Sequence, residues 1–314
     1  MGRWDGLDST GASLRRFAST QVTALSPCAL RAPRACWTGA AVTDLPTRRL
    51  GRTGIEVVPV GLGAMDTPHS DEGAATLHTA IDAGMNLVDT AREYAGSEFL
   101  LGQVIRERGR AGFHIATKTF SHTADGAQRD VDRSLSVLGV ELIDLYQLHD
   151  VSSVEKWHHV MGEDGARAGL EIARARGLVR HIGVSTHDLE VLRLLVESEA
   201  FDTIMIDYSA FHTETAALIA EAHARDIGVI VMRPLGGSGR TSVMRGRVAR
   251  GEAGLVTPAN LLRYVLSHPG VSVAIPGARY PSRVVENLDT LAQFTPMTDV
   301  EMRALEAAVQ TFED

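Results

Sequence analysis

Short apolar runs alternate with amphipathic segments from about residue 48 to the end of the chain. The apolar runs have the length of strands, and the segments between them have the spacing of helices. We predict strands within residues 58–64, 87–89, 114–119, 142–149, 180–186, 203–209, 227–235 and 271–277. We predict helices over residues 72–83, 99–105, 127–138, 166–176, 189–196, 215–224, 259–266, 282–291 and 299–309, with Ser97 as the cap of the second. Eight strands that are each followed by a helix indicate an α/β fold of the (β/α)8 TIM barrel type.

Two segments fall outside this eightfold repeat. The stretch from Arg48 to Met65 has a glycine-containing break between two short apolar runs, which predicts an N-terminal β-hairpin. The helix over residues 299–309 has no strand after it and is expected to be an extra C-terminal helix. A chain of 314 residues, 44% of them hydrophobic, can form one barrel or two smaller domains. The regular alternation favours a single barrel over residues 45–314.

Residues 1–44 differ in composition from the rest of the chain. They are rich in arginine, serine, threonine and alanine, poor in acidic residues, and without a sustained period. An arginine-rich and serine-rich leader is typical of a transit peptide, but a start codon assigned too far upstream produces a similar sequence. We expect a disordered or spurious leader rather than a targeting signal.

Composition narrows the classes of partner. The formal net charge is −8 and no predicted helix has a basic face with interleaved aromatic residues, so nucleic acid is not an expected partner. No apolar stretch approaches the roughly 18 residues that cross a bilayer, so we expect a soluble, cytoplasmic protein without a membrane partner. A small molecule is the expected partner, and the sequence does not predict the oligomeric state.

The residues that bind metals are scattered. Both cysteines, Cys28 and Cys36, lie in the leader, so the predicted barrel has no disulfide and no thiolate site, which suits a reducing cytosol. The twelve histidines form neither a His-x-x-x-His pair nor a His-x-His pair after the first strand. We therefore expect no bound metal.

Polar side chains follow the ends of three consecutive predicted strands. Asp89 ends the first of these strands and Tyr94 lies in the turn after it, whereas Lys118 and His149 end the next two. The steps from 89 to 118 and from 118 to 149 are 29 and 31 residues, one strand plus one helix each. Because the carboxyl ends of barrel strands share one mouth, these four side chains are expected to converge there.

Six short motifs, in this order, resemble the aldo-keto reductase family: GLGAM, DTAREYAGSE, TKT, DLYQLHD, HIGVST and IPGARYPSRVVENL. The resemblance extends from about Arg48 to the end. It implies a barrel that binds NADPH, with NADH possible, and transfers hydride between the nicotinamide and an aldehyde, ketone or sugar carbonyl. It also implies that the catalytic residues are Asp89, Tyr94, Lys118 and His149.

The chemistry of these four residues can be argued on physical grounds. Reduction of a carbonyl requires a proton for the oxygen, and a phenol with a pKa near about 10 is a weak donor. We expect the Lys118 ammonium to lower the pKa of Tyr94, Asp89 to orient that ammonium, and His149 to hydrogen-bond the substrate oxygen. Lys118 is one of only two lysines in the chain, and arginine could not replace it in this role.

The resemblance also implies a set of cofactor-binding residues. At the nicotinamide end, Ser185 matches the residue that binds the carboxamide, while Thr186, Met205 and Met232 stand where asparagine, glutamine and an aromatic residue are common. A phosphate loop is expected after the seventh barrel strand, where bare glycine amides can wrap a pyrophosphate, although flexibility alone would explain such glycines. The residues of this segment are Pro234, Leu235 and Gly236, followed by Gly237, Ser238 and Gly239.

The adenine end of the implied site lies on the last barrel helix. Arg283, Glu286 and Asn287 match the family's residues there, and Arg283 stands in the first turn, where the helix dipole also attracts a phosphate. Gly277 replaces a lysine that many relatives have. Arg279 is the nearby cation expected to replace it, or else a solvated surface charge.

Two other functions remain compatible with the sequence. A lysine at the end of a barrel strand can form a Schiff base with a carbonyl substrate, which would make the protein a lyase or an aldolase. A barrel of this kind can also serve as a nucleotide-binding regulatory subunit. The substrate is not predicted. Candidate apolar walls of its pocket are Met65, Phe120 and Trp157, with a place in the core or on a helix surface as the alternative for each.

Overall fold

The computed structural model describes residues 45–252 and 254–312, which form a barrel of parallel strands with helices around it. The interpretation of residues 1–44 as a leader lies outside the described residues. An antiparallel hairpin, β1 (Arg48–Arg49) and β2 (Glu56–Val57), precedes the barrel, as the glycine-containing break predicts. A 3-10 turn at Gly51–Thr53 connects its two strands.

Eight parallel strands follow, and each pairs with the next along the chain. They are β3 (Leu62–Gly63), β4 (Leu87–Asp89), β5 (His114–Thr119), β6 (Ile143–Leu148), β7 (Val179–Ser185), β8 (Thr203–Asp207), β9 (Gly228–Met232) and β10 (Val273–Ala274). The last strand returns to the first, since Gly61 N donates to Ala274 O at 2.9 Å and Gly63 N donates to Pro276 O at 3.2 Å. The prediction of a (β/α)8 barrel is confirmed.

Helices surround the sheet and occupy nearly all the predicted positions. They are α1 (Asp71–Asp82), α2 (Ser97–Arg108), α3 (Ala124–Leu138), α4 (Val154–Met161), α5 (Ala166–Ala175), α6 (Leu189–Ser198), α7 (Ala216–Ala224), α8 (Ser238–Ala249), α9 (Pro258–Ser267), α10 (Pro281–Ala292) and the extra C-terminal α11 (Asp299–Gln310). Helices α4 and α8 are absent from the predicted set. Helix α8 buries only Met244, so its sequence lacks the apolar stripe that marks a packed helix.

The prediction that Ser97 caps α2 was wrong. The N-cap is Gly96, whose φ of 74° lies in the left-handed region, and no side chain caps this helix. The Ser97 hydroxyl instead accepts a hydrogen bond from Thr90 Oγ1 at 2.7 Å and donates to Ala64 O at 3.2 Å. Ser97 therefore ties the start of α2 to the ends of β3 and β4, where the polar side chains of interest lie.

The hairpin closes one end of the barrel. Its residues Leu50, Ile55 and Val57 are buried with the inward-facing side chains of the strands. The Arg48 guanidinium fixes the hairpin to the barrel wall by donating to Val271 O at 2.7 Å and Leu266 O at 2.8 Å. The opposite end, at the carboxyl ends of the strands, is therefore the one that substrates can enter.

Strand alternation places polar groups above an apolar plug. Successive side chains of a strand point to opposite faces, so every second residue points into the barrel. The inner residues nearest the hairpin on β4, β5 and β6 are apolar: Leu87, Ala116 and Leu145. The next inner residues on the same strands are polar and buried: Asp89, Lys118 and Gln147. The candidate site therefore has an apolar floor.

A second buried carboxyl group lies outside the barrel wall. Glu98, in the first turn of α2, is 5% exposed and accepts a hydrogen bond from Thr117 Oγ1 at 2.7 Å. Burial raises the pKa of Glu98, although hydrogen bonds from Thr117 and Ser134 act against this effect. The folded state therefore binds the Glu98 proton more tightly than the unfolded state does. Stability should fall as the pH rises from the unfolded pKa of Glu98 to its higher folded pKa.

We expect Glu98→Gln to stabilise the protein at pH 7 by about 1 kcal/mol, because a neutral amide removes the buried charge and can still accept from Thr117. The gain should disappear at acid pH, where Glu98 is protonated in both states. Urea unfolding at the two pH values measures this effect. Glu107→Gln, at an exposed carboxylate of the same helix, is the matched control. Equal stability of the parent and Glu98→Gln at pH 7 would contradict the prediction.

Candidate active site

Three of the four predicted catalytic side chains form one hydrogen-bonded group. Lys118 Nζ, at the end of β5, donates to Asp89 Oδ2 at 2.6 Å and to Thr90 O at 2.8 Å. It also lies 3.1 Å from Tyr94 Oη and 4.6 Å from the centre of the Tyr94 ring. All three donor positions of the ammonium are therefore directed at oxygen atoms, one of which is the phenol.

The ion pair between Asp89 and Lys118 is fully enclosed. The Lys118 side chain is 0% exposed and the Asp89 side chain is 3% exposed. Burial lowers the pKa of Lys118, but the Asp89 carboxylate and the Tyr94 hydroxyl together have the larger effect. The pKa of Lys118 is therefore raised. Lys118 therefore carries its charge at neutral pH. Burial also raises the pKa of Asp89, while Lys118 and a hydrogen bond from Gln147 act in the opposite direction.

The expected net decrease in the pKa of Tyr94 does not occur in this arrangement. Burial raises the pKa of Tyr94 and the charge of Asp89 adds to this effect, whereas Lys118 lowers it by a smaller amount. The direction of the Lys118 effect is as predicted, but the burial of the phenol was not visible in the sequence. Tyr94 is therefore fully protonated at neutral pH, as a proton donor must be.

Gln147 is a member of the group that the sequence analysis missed. It pairs in register with Lys118 on the neighbouring strand and is fully buried. Its Nε2 donates to Asp89 Oδ1 at 3.1 Å, so each carboxylate oxygen of Asp89 has its own donor. The signal was present in the sequence, because Gln147 is an inward-facing polar residue two positions before His149.

His149 stands beside the phenol at the barrel mouth. Its ring packs edge-on against the Tyr94 ring, with centroids 5.5 Å apart, and stacks on Phe120 at 4.0 Å. The Nδ1 atom is buried without a hydrogen bond, and the nearest carboxylate oxygen, Glu93 Oε2, is 3.5 Å away. The structure therefore brings all four predicted residues to one place and adds Glu93 and Phe120 to them.

The three candidate pocket walls have different environments. Phe120 and Met65, which follow the ends of β5 and β3, are 41% and 57% exposed and remain candidate walls. Trp157 lies in the core, which is the alternative to a pocket wall that the sequence left open. It is 9% exposed and packs against Phe201, with ring centroids 6.5 Å apart, so it belongs to the core beneath α4.

The predicted nicotinamide residues lie at the ends of β7, β8 and β9. Ser185 is buried and its hydroxyl accepts from Asp150 N at 2.9 Å. The Thr186 hydroxyl accepts from Asp188 N at 3.0 Å, so it is engaged within its own turn. Met205 is fully enclosed in the inner cluster, whereas Met232 is half-buried at its edge. Ser185 and Met232 therefore remain the polar and apolar candidates for contact with a ligand.

The glycine segment after β9 leads directly into α8. Pro234, Leu235 and Gly236 are buried, and Gly236 has a φ of 84° with Phe211 packed against it. Gly237 has a φ of 98° and open space where a side chain would be. Bare amides at the start of a twelve-residue helix suit a phosphate group. Ser238 Oγ donates to Asp66 Oδ2 at 3.0 Å, which connects this segment to the loop after β3.

A second arginine lies at the predicted adenine end. Arg283 Nη1 is 3.1 Å from Glu286 Oε2, and Arg245 Nη1 of α8 is 2.6 Å from the same oxygen. The prediction that Arg279 is the nearby cation was therefore incomplete, since Arg245 comes from a helix that the sequence did not reveal. Arg279 is 64% exposed and lies 4.0 Å from Asp66.

The remaining predicted cofactor residues are close to these groups. A Cβ atom added to Gly277 would lie 3.1 Å from Asp66 Oδ2, so a carboxylate borders this position. Asn287 is buried on α10. Two guanidinium groups around one carboxylate can hold a phosphate at the protein surface.

The described residues contain neither a metal-binding cluster nor a membrane-spanning helix. No group of three or more histidine, cysteine, aspartate or glutamate side chains within residues 45–252 and 254–312 is arranged to hold a metal ion. Of the helices α1 to α11, none is long and apolar enough to cross a membrane.

Comparison with known proteins gives a consistent result. The profile of the Aldo/keto reductase family matches residues 59–253. The chain is 26% identical to the uncharacterized oxidoreductase YqkF of Bacillus subtilis, over 83% of this chain and 95% of that protein. It is 28% identical to the 6-dehydroglucose reductase of Novosphingobium aromaticivorans, over 80% of this chain and 93% of that protein.

Solved structures agree with the sequence comparisons. The crystal structure of an aldo-keto reductase from Klebsiella pneumoniae in complex with NADPH has a TM-score of 0.67 and is 25% identical. The match covers 85% of this chain and 95% of that chain. The two chains therefore share the barrel over nearly the whole length of the solved protein.

Proposed function

The chain belongs to the aldo/keto reductase family, and from this premise we propose that it reduces a carbonyl compound with NADPH and that Tyr94 supplies the proton. The observation that carries the proposal is the buried ammonium of Lys118, which lies 3.1 Å from Tyr94 Oη and 2.6 Å from Asp89 Oδ2. This arrangement stabilises negative charge on the phenol oxygen as its proton leaves.

The residues at the carboxyl ends of the strands fit a dinucleotide cofactor. Gly236 and Gly237 precede the start of α8, and Arg245 and Arg283 provide two cations at the far end. Ser185 and Met232 would hold the nicotinamide, the glycine segment the pyrophosphate, and the arginines the 2′-phosphate. NADPH supplies the hydride when it is bound.

Each catalytic residue has one task in this proposal. Tyr94 donates its proton to the substrate oxygen. The raised pKa of Tyr94 keeps the phenol protonated until negative charge develops on the substrate oxygen. Lys118 stabilises the resulting phenolate, and Asp89 and Gln147 hold the ammonium in position. His149 orients the substrate oxygen beside Tyr94. In the reverse direction the same groups accept a proton from an alcohol or an aldose.

The competing Schiff-base function has little support in the environment of Lys118. A lysine must lose its proton to attack a carbonyl, so enzymes that use one lower its pKa. Here the pKa of Lys118 is raised, and its Nζ atom already donates to Asp89 and Thr90. We therefore prefer the reductase to the lyase or aldolase.

A spectroscopic assay tests the proposed function. The protein is mixed with NADPH and one member of a panel of aldehydes, ketones and open-chain sugars. The oxidation of NADPH is then followed by the loss of its absorbance. We expect turnover with at least one neutral aldehyde. A protein that binds NADPH but turns over no member of the panel would be a nucleotide-binding subunit and not a reductase.

The positions of Arg245 and Arg283 predict that the protein prefers NADPH to NADH. Hydrogen bonds to charged groups contribute about 1.5 to 3 kcal/mol, and each 1.4 kcal/mol changes an affinity about tenfold. We therefore expect the parent to bind NADPH about tenfold to a hundredfold more tightly than NADH. Most of this preference should be lost in Arg283→Ala and part of it in Arg245→Ala. Fluorescence titration with the two cofactors measures each ratio.

The control for this prediction is Arg303→Ala, which removes an exposed arginine of α11. It should leave the ratio unchanged. Equal affinities of the parent for NADPH and NADH would refute the assignment of the phosphate site. An unchanged ratio in both arginine variants would place the phosphate contact elsewhere.

A further inference from the structure

Charged side chains around the barrel mouth occur mostly as neutral pairs. Lys118 is paired with Asp89 at 2.6 Å, and Arg92 Nε is 2.9 Å from Asp130 Oδ1. After β6, Lys156 Nζ is 3.6 Å from Asp150 Oδ2. Each of these pairs contributes little net field at a substrate, because the two charges largely cancel.

Glu93 is the exception to this pairing. Within the described residues, the only ionic contact of its carboxylate is with His149 Nδ1, at 3.5 Å, and no lysine or arginine lies within ion-pair distance. Burial raises the pKa of Glu93, but interactions with His149, its own backbone amide and Arg92 outweigh this effect and lower the pKa. Glu93 is therefore an anion throughout the neutral range.

The position of this anion is next to the proposed reaction. Glu93 directly precedes Tyr94. Its carboxylate contacts the ring of His149, the residue that we propose orients the substrate oxygen. Its side chain is 32% exposed, so water screens its charge only in part. Beside it, Phe120 stacks on His149 and is 41% exposed. A substrate at this mouth would therefore meet a carboxylate that has no lysine or arginine partner among the described residues, together with an aromatic face.

We propose that Glu93 selects the substrate by charge, so that the site takes neutral or cationic carbonyl compounds with an aromatic or apolar arm and rejects those with a carboxylate near the carbonyl. This inference rests on the proposed function. Two unit charges about 7 Å apart change an affinity by roughly threefold to fiftyfold, depending on how strongly water screens them. A carboxylate should be disfavoured, and a cation favoured, by a factor in this range.

A charge series of substrates tests the proposal. The substrates are 4-carboxybenzaldehyde, 4-(hydroxymethyl)benzaldehyde and 4-(trimethylammonio)benzaldehyde, with NADPH as the reductant. The parent should have the highest kcat/KM for the cation and the lowest for the anion, after correction for intrinsic reactivity. For each aldehyde, the ratio of kcat/KM in the parent to kcat/KM in a variant makes that correction, because the intrinsic reactivity of the aldehyde is the same in both.

The variants are Glu93→Gln and Glu93→Lys. The first should flatten the dependence of kcat/KM on substrate charge, and the second should invert it. Glu155→Lys is the matched control, because it makes the same charge change at an exposed residue of α4. Raising the salt concentration should weaken the dependence in the parent.

A binding arm separates this inference from the proposed function. Calorimetric titration with benzoate, benzamide and benzyltrimethylammonium needs no turnover. The parent should bind the cation more tightly than the amide and the amide more tightly than benzoate, and Glu93→Lys should reverse the order. If the parent turns over no aldehyde but this reversal occurs, the reductase proposal fails while the charge selection stands. The same order of affinities in the parent and in Glu93→Lys would overturn the inference.

Discussion

Tyr94→Phe should lower the rate of carbonyl reduction by a factor of about 10² to 10⁴, the usual contribution of a positioned general acid. The variant loses the hydroxyl that lies 3.1 Å from Lys118 Nζ and keeps the ring that packs against His149. NADPH affinity should change little, because Tyr94 acts on the substrate oxygen. Single-turnover rates and fluorescence titration of NADPH measure the two quantities separately.

The control for this prediction is Tyr146→Phe. Tyr146 is another buried tyrosine, on β6, and its hydroxyl is 3.1 Å from Ser134 Oγ. Tyr146→Phe also removes a phenol oxygen, but at a position outside the proposed catalytic group. Its rate of reduction should therefore stay near that of the parent. Retention of more than about a tenth of the parent rate in Tyr94→Phe would exclude the acid role, since a general acid usually contributes more.

The barrel and the convergence of the four residues could be predicted because each depends on a strong local pattern. Each barrel strand is buried on both faces, so its apolar run is visible in the sequence, and β5 was predicted with its observed bounds. In a parallel barrel the ends of strands share one face, so Asp89, Lys118 and His149 could be placed together from sequence spacing alone.

The features that were not predicted depend on tertiary contacts. Helix α8 lies on the surface with Met244 as its buried residue, so no apolar period marks it, and Arg245 could not be placed near Glu286 without it. From the sequence, Trp157 could be a pocket wall or part of the core, and its packing against Phe201 shows that it belongs to the core. The pKa of Tyr94 depends on burial, which spacing does not reveal.

Lys118→Met should abolish reduction to a similar extent, about 10² to 10⁴ in rate, and should also destabilise the fold. Removing one partner of a buried ion pair costs about 3 to 5 kcal/mol, because the other charge is left unpaired. Burial raises the pKa of Asp89, and Lys118 now opposes this effect. Without Lys118, the pKa of Asp89 should rise further. Asp89 should therefore bind a proton at higher pH, and the variant should become less stable as the pH rises.

A double variant separates the two effects of Lys118. Asp89→Asn combined with Lys118→Met removes both charges of this pair, and an asparagine can still pair with Gln147. We expect this double variant to recover most of the stability in urea unfolding and none of the activity, because the phenol still lacks its ammonium. Lys118→Arg should remain inactive as well, since a planar guanidinium cannot occupy the position of a compact ammonium between Asp89, Thr90 and Tyr94. Activity in the double variant would show that Lys118 serves only to neutralise Asp89.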